Sequence, residues 1–260
     1  MSILVINVLN EGLIFGADKS ITEYYPDGKT RQYPSSKVLK WPTDKYLFGF
    51  VGAAQMGKLP MIEWLREQQH EYEEIDSLEQ IAQRLHQRVQ EQRNIDDTQK
   101  LPEPLVIHLG GFEKKNGIWI PMVWHIGNMH KLGRFDYLDT RHEFFCREEF
   151  WANETIKNAV LDPSEVRRFL KVLAKQFNPF WFHQGLDLFT FNVMQGAIQT
   201  AFRNLCQQHP EHDIPTTLEE WEKHVMMQVL MYGAYFESFQ PVGKRYVGGG
   251  ADIISTPWPE

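Results

Sequence analysis

The first 52 residues alternate short apolar runs with turn residues, and this pattern limits the possible folds more than any other feature of the chain. An apolar run over residues 3–9 is followed by a turn at residues 10–12 and by a second run that ends at Asp18. If residues 10 and 11 form a two-residue turn, the flanking runs pair as antiparallel strands and Leu9 faces Gly12. We therefore predict a hairpin in which Ile3 faces Asp18 and Ser2 faces the residue after it.

A second hairpin is predicted directly downstream. Residues 37–41 and 46–51 are rich in apolar and aromatic side chains, and residues 42–45 between them include the turn formers proline and aspartate. Pairing outward from this turn places Lys37 opposite the residue two positions before Gly52. The lysine and the glycine are thus expected at the same end of the second hairpin.

Side-by-side packing of the two hairpins would bring Ser2, Asp18, Lys37 and Gly52 together at one sheet edge. Initiator Met1 is usually removed when the next residue is as small as serine, which would give Ser2 both a hydroxyl and a free α-amine. An α-amine has a reference pKa of about 7.7–8.0, so it is suited to accept the hydroxyl proton near neutral pH. A carboxylate, an ammonium and a glycine amide would complete an acyl-transfer site.

Composition excludes several other functions. The chain has 260 residues, of which 42% are hydrophobic, so we expect one domain over residues 1–260. Its net charge of −7 is spread over interleaved acidic and basic residues, which argues against a nucleic-acid partner. The two cysteines, Cys146 and Cys206, lie far apart, and the histidines lack ligand spacing, so we predict no metal and no cofactor. The opening apolar run is too short for a membrane span, and a cytoplasmic location without membrane contact is expected.

Beyond residue 52 the pattern alternates between helix and strand. Three- and four-residue spacing of apolar side chains predicts helices around residues 61–65, 78–89, 163–176, 183–206 and 217–238. Strands are predicted at 105–111, 118–126 and 251–255, with a further candidate at 142–145, and the aromatic run 177–191 is expected in the core or a subunit interface. Residues 24–34 are predicted to form an exposed excursion. Most of 128–161 has no clear assignment.

Two segments resemble the start of proteasome β subunits and of the bacterial HslV peptidase. These are Ser2–Thr22 (SILVINVLNEGLIFGADKSIT) and Ser36–Gly57 (SKVLKWPTDKYLFGFVGAAQMG). In that family a strand that carries the nucleophile leads to a G-A-D strand, K-V opens a third strand, and G-F-x-G closes a fourth. The resemblance covers about the first quarter of the chain and returns weakly at Gly248–Asp252 (GGGAD).

The resemblance implies a fold, an activity and partners. It implies a four-layer αββα sandwich of two antiparallel sheets flanked by helices, and hydrolysis of peptide bonds through an acyl-enzyme. Ser2 would be the nucleophile, Lys37 would hold positive charge beside it, Asp18 would orient the lysine, and Gly52 would donate to the oxyanion. Apolar side chains would line the pocket beside the nucleophile: Ile21, Leu39, Phe50 and Ala54. Peptides or unfolded proteins would be the substrates and a homo-oligomeric ring the assembly, while an ATPase partner stays unidentified.

The sequence departs from the family pattern near its end. The family usually has a serine before the late glycine pair and an aspartate three residues earlier, whereas this chain has Gly248 and Arg245. The nucleophile is also serine rather than threonine, which removes the methyl group that restricts its rotamer. Two alternatives follow: a catalytically inactive, ring-forming structural subunit, and a hydrolase of the same kind that acts on a small amide.

Overall fold

The computed structural model describes residues 2–24, 29–41, 45–73, 75, 77–96, 104–128, 144–151, 153–159, 162–176, 180–184, 188–209, 214–239 and 247–260. Within these ranges the protein is an α+β fold with antiparallel sheets and six α-helices, as the sequence predicted at this level.

Thirteen strands occur in the described part of the chain. They are β1 Leu4–Val8, β2 Gly12–Asp18, β3 Ser20–Tyr24, β4 Thr30–Pro34, β5 Val38–Lys40, β6 Tyr46–Gly52, β7 Gln55–Met56, β8 Leu59–Pro60, β9 Leu105–Lys115, β10 Ile118–Gly127, β11 Phe145–Glu148, β12 Phe180–Gln184 and β13 Ala251–Pro257. The helices are α1 Met61–Gln69, α2 Leu78–Asp96, α3 Glu154–Ala159, α4 Val166–Lys175, α5 Leu188–Gln208 and α6 Leu218–Phe239, and a 3₁₀ turn at Pro163–Glu165 precedes α4.

The first predicted hairpin forms with the predicted register. Strands β1 and β2 pair antiparallel with Leu4 opposite Ala17. Across the turn the Leu9 N–H donates to the Gly12 carbonyl at 2.9 Å. The Asp18 N–H donates to the Ile3 carbonyl at 3.3 Å, which continues the pairing to the start of the chain. These two strands are the centre of a four-stranded sheet in the order β12-β1-β2-β13.

The second hairpin also has the predicted register, but it belongs to another sheet. Trp41 N–H donates to the Tyr46 carbonyl at 2.8 Å, and Phe50 N–H donates to the Lys37 carbonyl at 3.0 Å. Strands β5 and β6 form one side of a five-stranded sheet in the order β11-β10-β9-β6-β5. The expectation of two hairpins side by side at one sheet edge is therefore wrong.

Instead, the two sheets contact each other through their faces. A side-chain carbon at Gly49 of β6 would lie 2.6 Å from Leu4 Cδ1 of β1, and one at Gly110 of β9 would lie 2.7 Å from Leu13 Cδ2 of β2. Glycine at these points allows the apolar side chains of the first sheet to pack directly on the backbone of the second. A buried apolar cluster joins both sheets, including Ile6, Val51 and other residues of β1, β2, β6, β9 and β10.

Helices pack against both sheets. Buried side chains of α1 and α2 share a cluster with outward residues of β6, β9 and β10. Trp221, Val225 and Val229 of α6 share another with Val5 and Ile14 of the first sheet. A capping box begins α6, because Glu220 N–H donates to Thr217 Oγ1 at 3.2 Å while Thr217 N–H donates to Glu220 Oε2 at 3.0 Å.

Several element predictions need correction. The helix expected to begin at residue 183 begins at Leu188, and the strand β12 occupies Phe180–Gln184 within the predicted aromatic run. The candidate strand at 142–145 begins only at Phe145 and continues to Glu148, while residues 142 and 143 lie outside the described ranges. The segment predicted as an excursion at 24–34 belongs to the hairpin of strands β3 and β4. Residues 25–28 between these strands lie outside the described ranges. Helix α3 in the unassigned segment was not predicted.

Candidate active site

A buried ion pair connects the two predicted hairpins. Lys37 Nζ lies 2.8 Å from Asp18 Oδ1, and the two side chains are 0% and 1% exposed. The chain brings them together because Ser35 N–H donates to the Lys19 carbonyl at 2.8 Å, so the segment before β5 runs beside the segment after β2. The predicted pairing of aspartate and lysine therefore forms, although it does so between two sheets.

Backbone amides complete the environment of the Asp18 carboxylate. Ile3 N–H donates to Oδ1 at 2.7 Å, and the N–H groups of Ser20 and Gly248 donate to Oδ2 at 3.2 and 3.3 Å. The carboxylate thus accepts hydrogen bonds from three backbone N–H groups in addition to the Lys37 ammonium. Because the first of these donors is the amide next to Ser2, the ion pair lies directly beside the start of the chain.

The lysine of this pair has an altered acidity. Burial lowers the pKa of Lys37, and the Asp18 carboxylate opposes that effect by favouring the ammonium. The Lys37 ammonium is held at 2.8 Å from one carboxylate and is buried, so its position is fixed and solvent screens its positive charge only weakly. Such a charge favours deprotonation of neighbouring hydroxyl and amine groups.

Ser2 and Gly52 lie at the ends of their strands. Ser2 is half-buried and precedes β1, whereas Gly52 is exposed at the end of β6. Gly52 has a φ of +99°, and a side-chain carbon there would overlap the Pro104 carbonyl oxygen. Only glycine fits this backbone without strain, since the conformation and the close contact both exclude a Cβ. Met1 lies outside the described residues.

The four predicted pocket residues belong to, or pack against, one extended apolar cluster. Ile21 and Phe50 are buried in the cluster formed by the second sheet and helices α1 and α2. Leu39 and Ala54 are partly buried and pack against that same cluster. Their arrangement as one pocket and their contact with a substrate stay predictions.

A glycine segment closes the site from the far end of the sequence. Gly248, Gly249 and Gly250 have φ values of +147°, +73° and +96°, a conformation that glycine adopts readily. Lys19 N–H lies 3.1 Å from the Gly248 carbonyl, which accepts its hydrogen bond. Arg245 occupies the position at which the family has its late aspartate, and it lies outside the described ranges.

Sequence reasoning missed some contributors to this site. The contacts of Ser20 and Gly248 with Asp18 are made by backbone amides, which leave no trace in residue type. The run of glycines was the one available signal, because three consecutive glycines after a helix indicate a backbone with unusual dihedral angles.

No metal site or membrane span emerges from the described ranges. They contain no group of three or more His, Cys, Asp or Glu side chains placed to hold a metal ion. Among the helices in those ranges, none combines the length and apolar character needed to cross a bilayer.

Comparison with known proteins gives structural matches only. No family model matches the chain, and no curated protein matches it in sequence. Among solved structures, it is similar to Anbu (ancestral beta-subunit) from Yersinia bercovieri, at 14% identity over 98% of this chain and 81% of the other, with a TM-score of 0.49. It is also similar to an Anbu (Gly-1) mutant from Hyphomicrobium sp. strain MC1, at 14% identity over 99% and 82%, with a TM-score of 0.47.

These findings correct the family assignment made from sequence. The predicted resemblance to the proteasome β-subunit and HslV family is contradicted, because the two solved structures named above are Anbu proteins and no family model matches. The hairpin registers and the buried ion pair do not depend on that assignment, since both are features of the protein itself.

Proposed function

We propose that this protein is an N-terminal-nucleophile hydrolase that cleaves an amide bond with Ser2 after removal of Met1. The observation that carries the proposal is the buried Asp18–Lys37 pair at 2.8 Å, whose carboxylate also binds the Ile3 amide at 2.7 Å. Burying a charge pair is costly, so a fold gains little stability from one. Its position beside an amino-terminal serine supports a chemical role.

The proposed chemistry uses the hydroxyl and the α-amine of Ser2. Its Oγ attacks the substrate carbonyl while the Ser2 α-amine takes the hydroxyl proton, directly or through water. The Gly52 N–H stabilises the oxyanion, and Lys37 favours deprotonation of both the hydroxyl and the amine. The α-ammonium then gives its proton to the leaving amine, which departs and leaves an ester on Ser2. Water hydrolyses that ester, which releases the acid and regenerates the hydroxyl.

Four further expectations from the sequence are part of this proposal. They are the four-layer αββα arrangement, a cytoplasmic location, assembly into a homo-oligomeric ring, and peptides or unfolded proteins as substrates. The apolar cluster of Ile21, Leu39, Phe50 and Ala54 supports a substrate with an apolar side chain beside the scissile bond. A small apolar amide fits the same chemistry, and a panel of peptides and small amides separates the two substrate classes.

Labelling of Ser2 tests the proposal. Intact mass should show that Met1 is absent, and a serine-reactive electrophile such as a fluorophosphonate or a β-lactone should add one label. Peptide mapping should place that label on Ser2, and Ser2→Ala should remove it. The label should form more slowly in Lys37→Met, because the fixed positive charge that favours deprotonation is gone.

Ser36→Ala is the matched control. Ser36 precedes Lys37, and its hydroxyl donates to the Val38 carbonyl at 2.8 Å, so it is a nearby serine without a place in the mechanism. Its loss should leave the labelling rate unchanged. Retention of Met1 in the purified protein, or equal labelling of wild type and Ser2→Ala, would refute the proposed nucleophile and leave the inactive structural subunit as the better description.

A further inference from the structure

The outer face of α6 is apolar over most of its second half. Residues 225–236 (VMMQVLMYGAYF) include no charged side chain. Every exposed side chain among them is apolar or aromatic, and the four large ones are 38–46% exposed: Met226, Leu230, Met231 and Tyr235. A surface helix normally carries charged and polar side chains on the face away from the core. A group of exposed apolar side chains on one helix therefore indicates a contact with another molecule.

The inner face of the same helix already has its partners. Trp221, Val225 and Val229 are buried in the cluster that α6 forms with the first sheet. Beside them, Tyr232 Oη donates to Gln195 Oε1 of α5 at 2.9 Å. The exposed apolar side chains thus remain after α6 has made its contacts with the sheet and with α5.

Charges of opposite sign flank the apolar stretch. Lys223, Leu230 and Glu237 are spaced by seven residues, which is close to two helical turns, so they lie on one side of α6. Lys223 and Glu237 are exposed and lie about 10 Å along the helix on either side of Leu230. Lys223 also pairs with Glu219 at 2.8 Å, but an exposed pair of this kind is weak and leaves the ammonium accessible.

This order of charges fits a second copy of the same helix in antiparallel orientation. A two-fold axis at Leu230 places Lys223 of each copy opposite Glu237 of the other. The same axis places Met226 opposite Ala234, so a long apolar side chain faces a small one. A parallel pair of helices would instead bring like charges together at both ends, which is unfavourable.

An anionic membrane surface fits the same face less well. Four glutamates surround the apolar stretch on α6 against a single lysine: Glu219, Glu220, Glu222 and Glu237. Their carboxylates repel anionic lipid headgroups, which attract basic helices instead. The charges therefore favour a protein partner that presents both signs.

We propose that α6 is a self-association surface, on which a second copy of this protein docks antiparallel about a two-fold axis at Leu230. A standard interface buries about 800 Å² on each partner, so it needs more than the exposed face of one helix. Neighbouring α5 provides further apolar surface, including Val193 at 55% exposed. The inference names one contact of the proposed homo-oligomer and does not depend on the reaction at Ser2.

A substitution at the axis tests the contact. Leu230→Glu would bring two carboxylates together, so the mass of the largest species in analytical ultracentrifugation should fall by half. Val172→Glu is the matched control, because Val172 on α4 is 47% exposed and Leu230 is 46% exposed. The control should keep the wild-type mass, and circular dichroism should show that both variants are folded. A wild type that stays monomeric at all protein concentrations, or an equal mass of wild type and Leu230→Glu, would overturn the inference.

Charge substitutions test the orientation. Lys223→Glu and Glu237→Lys each place like charges together at both ends of the antiparallel pair, so each should raise the dissociation constant about tenfold. An equimolar mixture of the two variants restores opposite charges at both ends and should associate as the wild type does. Equal association of the wild type and both single variants would overturn the antiparallel pairing, because a parallel pair already has like charges at these positions. Association is measured without any reaction, so failure of this test and failure of Ser2 labelling are separate results.

Discussion

Removing one member of the buried ion pair should cost much more when the aspartate is removed. Lys37→Met leaves the Asp18 carboxylate with three N–H donors at 2.7, 3.2 and 3.3 Å, so the remaining charge is still partly satisfied. Losing one partner of a buried pair usually costs about 3–5 kcal/mol. We expect Lys37→Met near the lower limit, at about 3 kcal/mol.

Asp18→Ala leaves two separate problems. The Lys37 ammonium, whose side chain is 0% exposed, loses its carboxylate, and the N–H groups of Ile3, Ser20 and Gly248 lose their acceptor. Unsatisfied buried donors cost about 1–3 kcal/mol each, although local rearrangement recovers part of that free energy. We expect a loss of about 5 kcal/mol or more.

Urea unfolding at pH 7, followed by tryptophan fluorescence at two protein concentrations, would give the free energies of unfolding of the wild type and of the two single variants. The double variant Asp18→Ala/Lys37→Met contains neither charge, so its loss should be smaller than the sum of the single losses by about 2 kcal/mol. Equal losses in the two single variants would refute the asymmetry. Additive losses would show that the two side chains do not interact in solution.

Three further changes test other parts of the structure. Gly52→Ala would place a Cβ against the Pro104 carbonyl oxygen at a φ of +99°. The free energy of unfolding, measured by thermal unfolding, should therefore fall by about 2–4 kcal/mol. An unchanged unfolding midpoint would contradict this geometry. Burial lowers the pKa of His224 to about 4, so the unfolded state binds more protons between pH 4 and 6.5. Urea titrations should show stability falling by about 3 kcal/mol as the pH drops through that window, and His224→Leu should remove most of the fall, whereas an unaltered slope would refute this origin. Gly248→Ala and Gly250→Ala should each cost about 1–3 kcal/mol in the same assay, because both positions have a positive φ and the one overlap at 248 is with the movable end of an exposed glutamate, and an unchanged stability in either variant would contradict the backbone geometry.

The hairpin registers could be predicted because their determinants are local. A short turn between two apolar runs fixes which residues face each other, and one shift in register would expose the buried side chains. That reasoning correctly placed Ile3 opposite Asp18 and Lys37 opposite Phe50. It did not show how the two hairpins meet, so the contact between Asp18 and Lys37 was expected from a side-by-side packing that the structure does not have and from the family resemblance.

The assignment of hairpins to sheets could not be read from the same signals. Whether two hairpins pair through their edges or pack through their faces depends on residues distant in sequence. Here Gly49 and Gly110 permit face-to-face packing, since side-chain carbons there would come within 2.6 and 2.7 Å of Leu4 and Leu13. In the sequence, those glycines look like ordinary strand residues.

The Asp18 carboxylate has consequences for the order of events during synthesis. Its partners come from residues 3, 20, 37 and 248, so they span almost the whole chain. At about 5–20 residues per second, the last partner is made roughly ten to fifty seconds after the first. Until then the carboxylate that holds the Ile3 amide lacks one of its three N–H donors. The last hydrogen bond to Asp18 can thus form only after residue 248 has been synthesised.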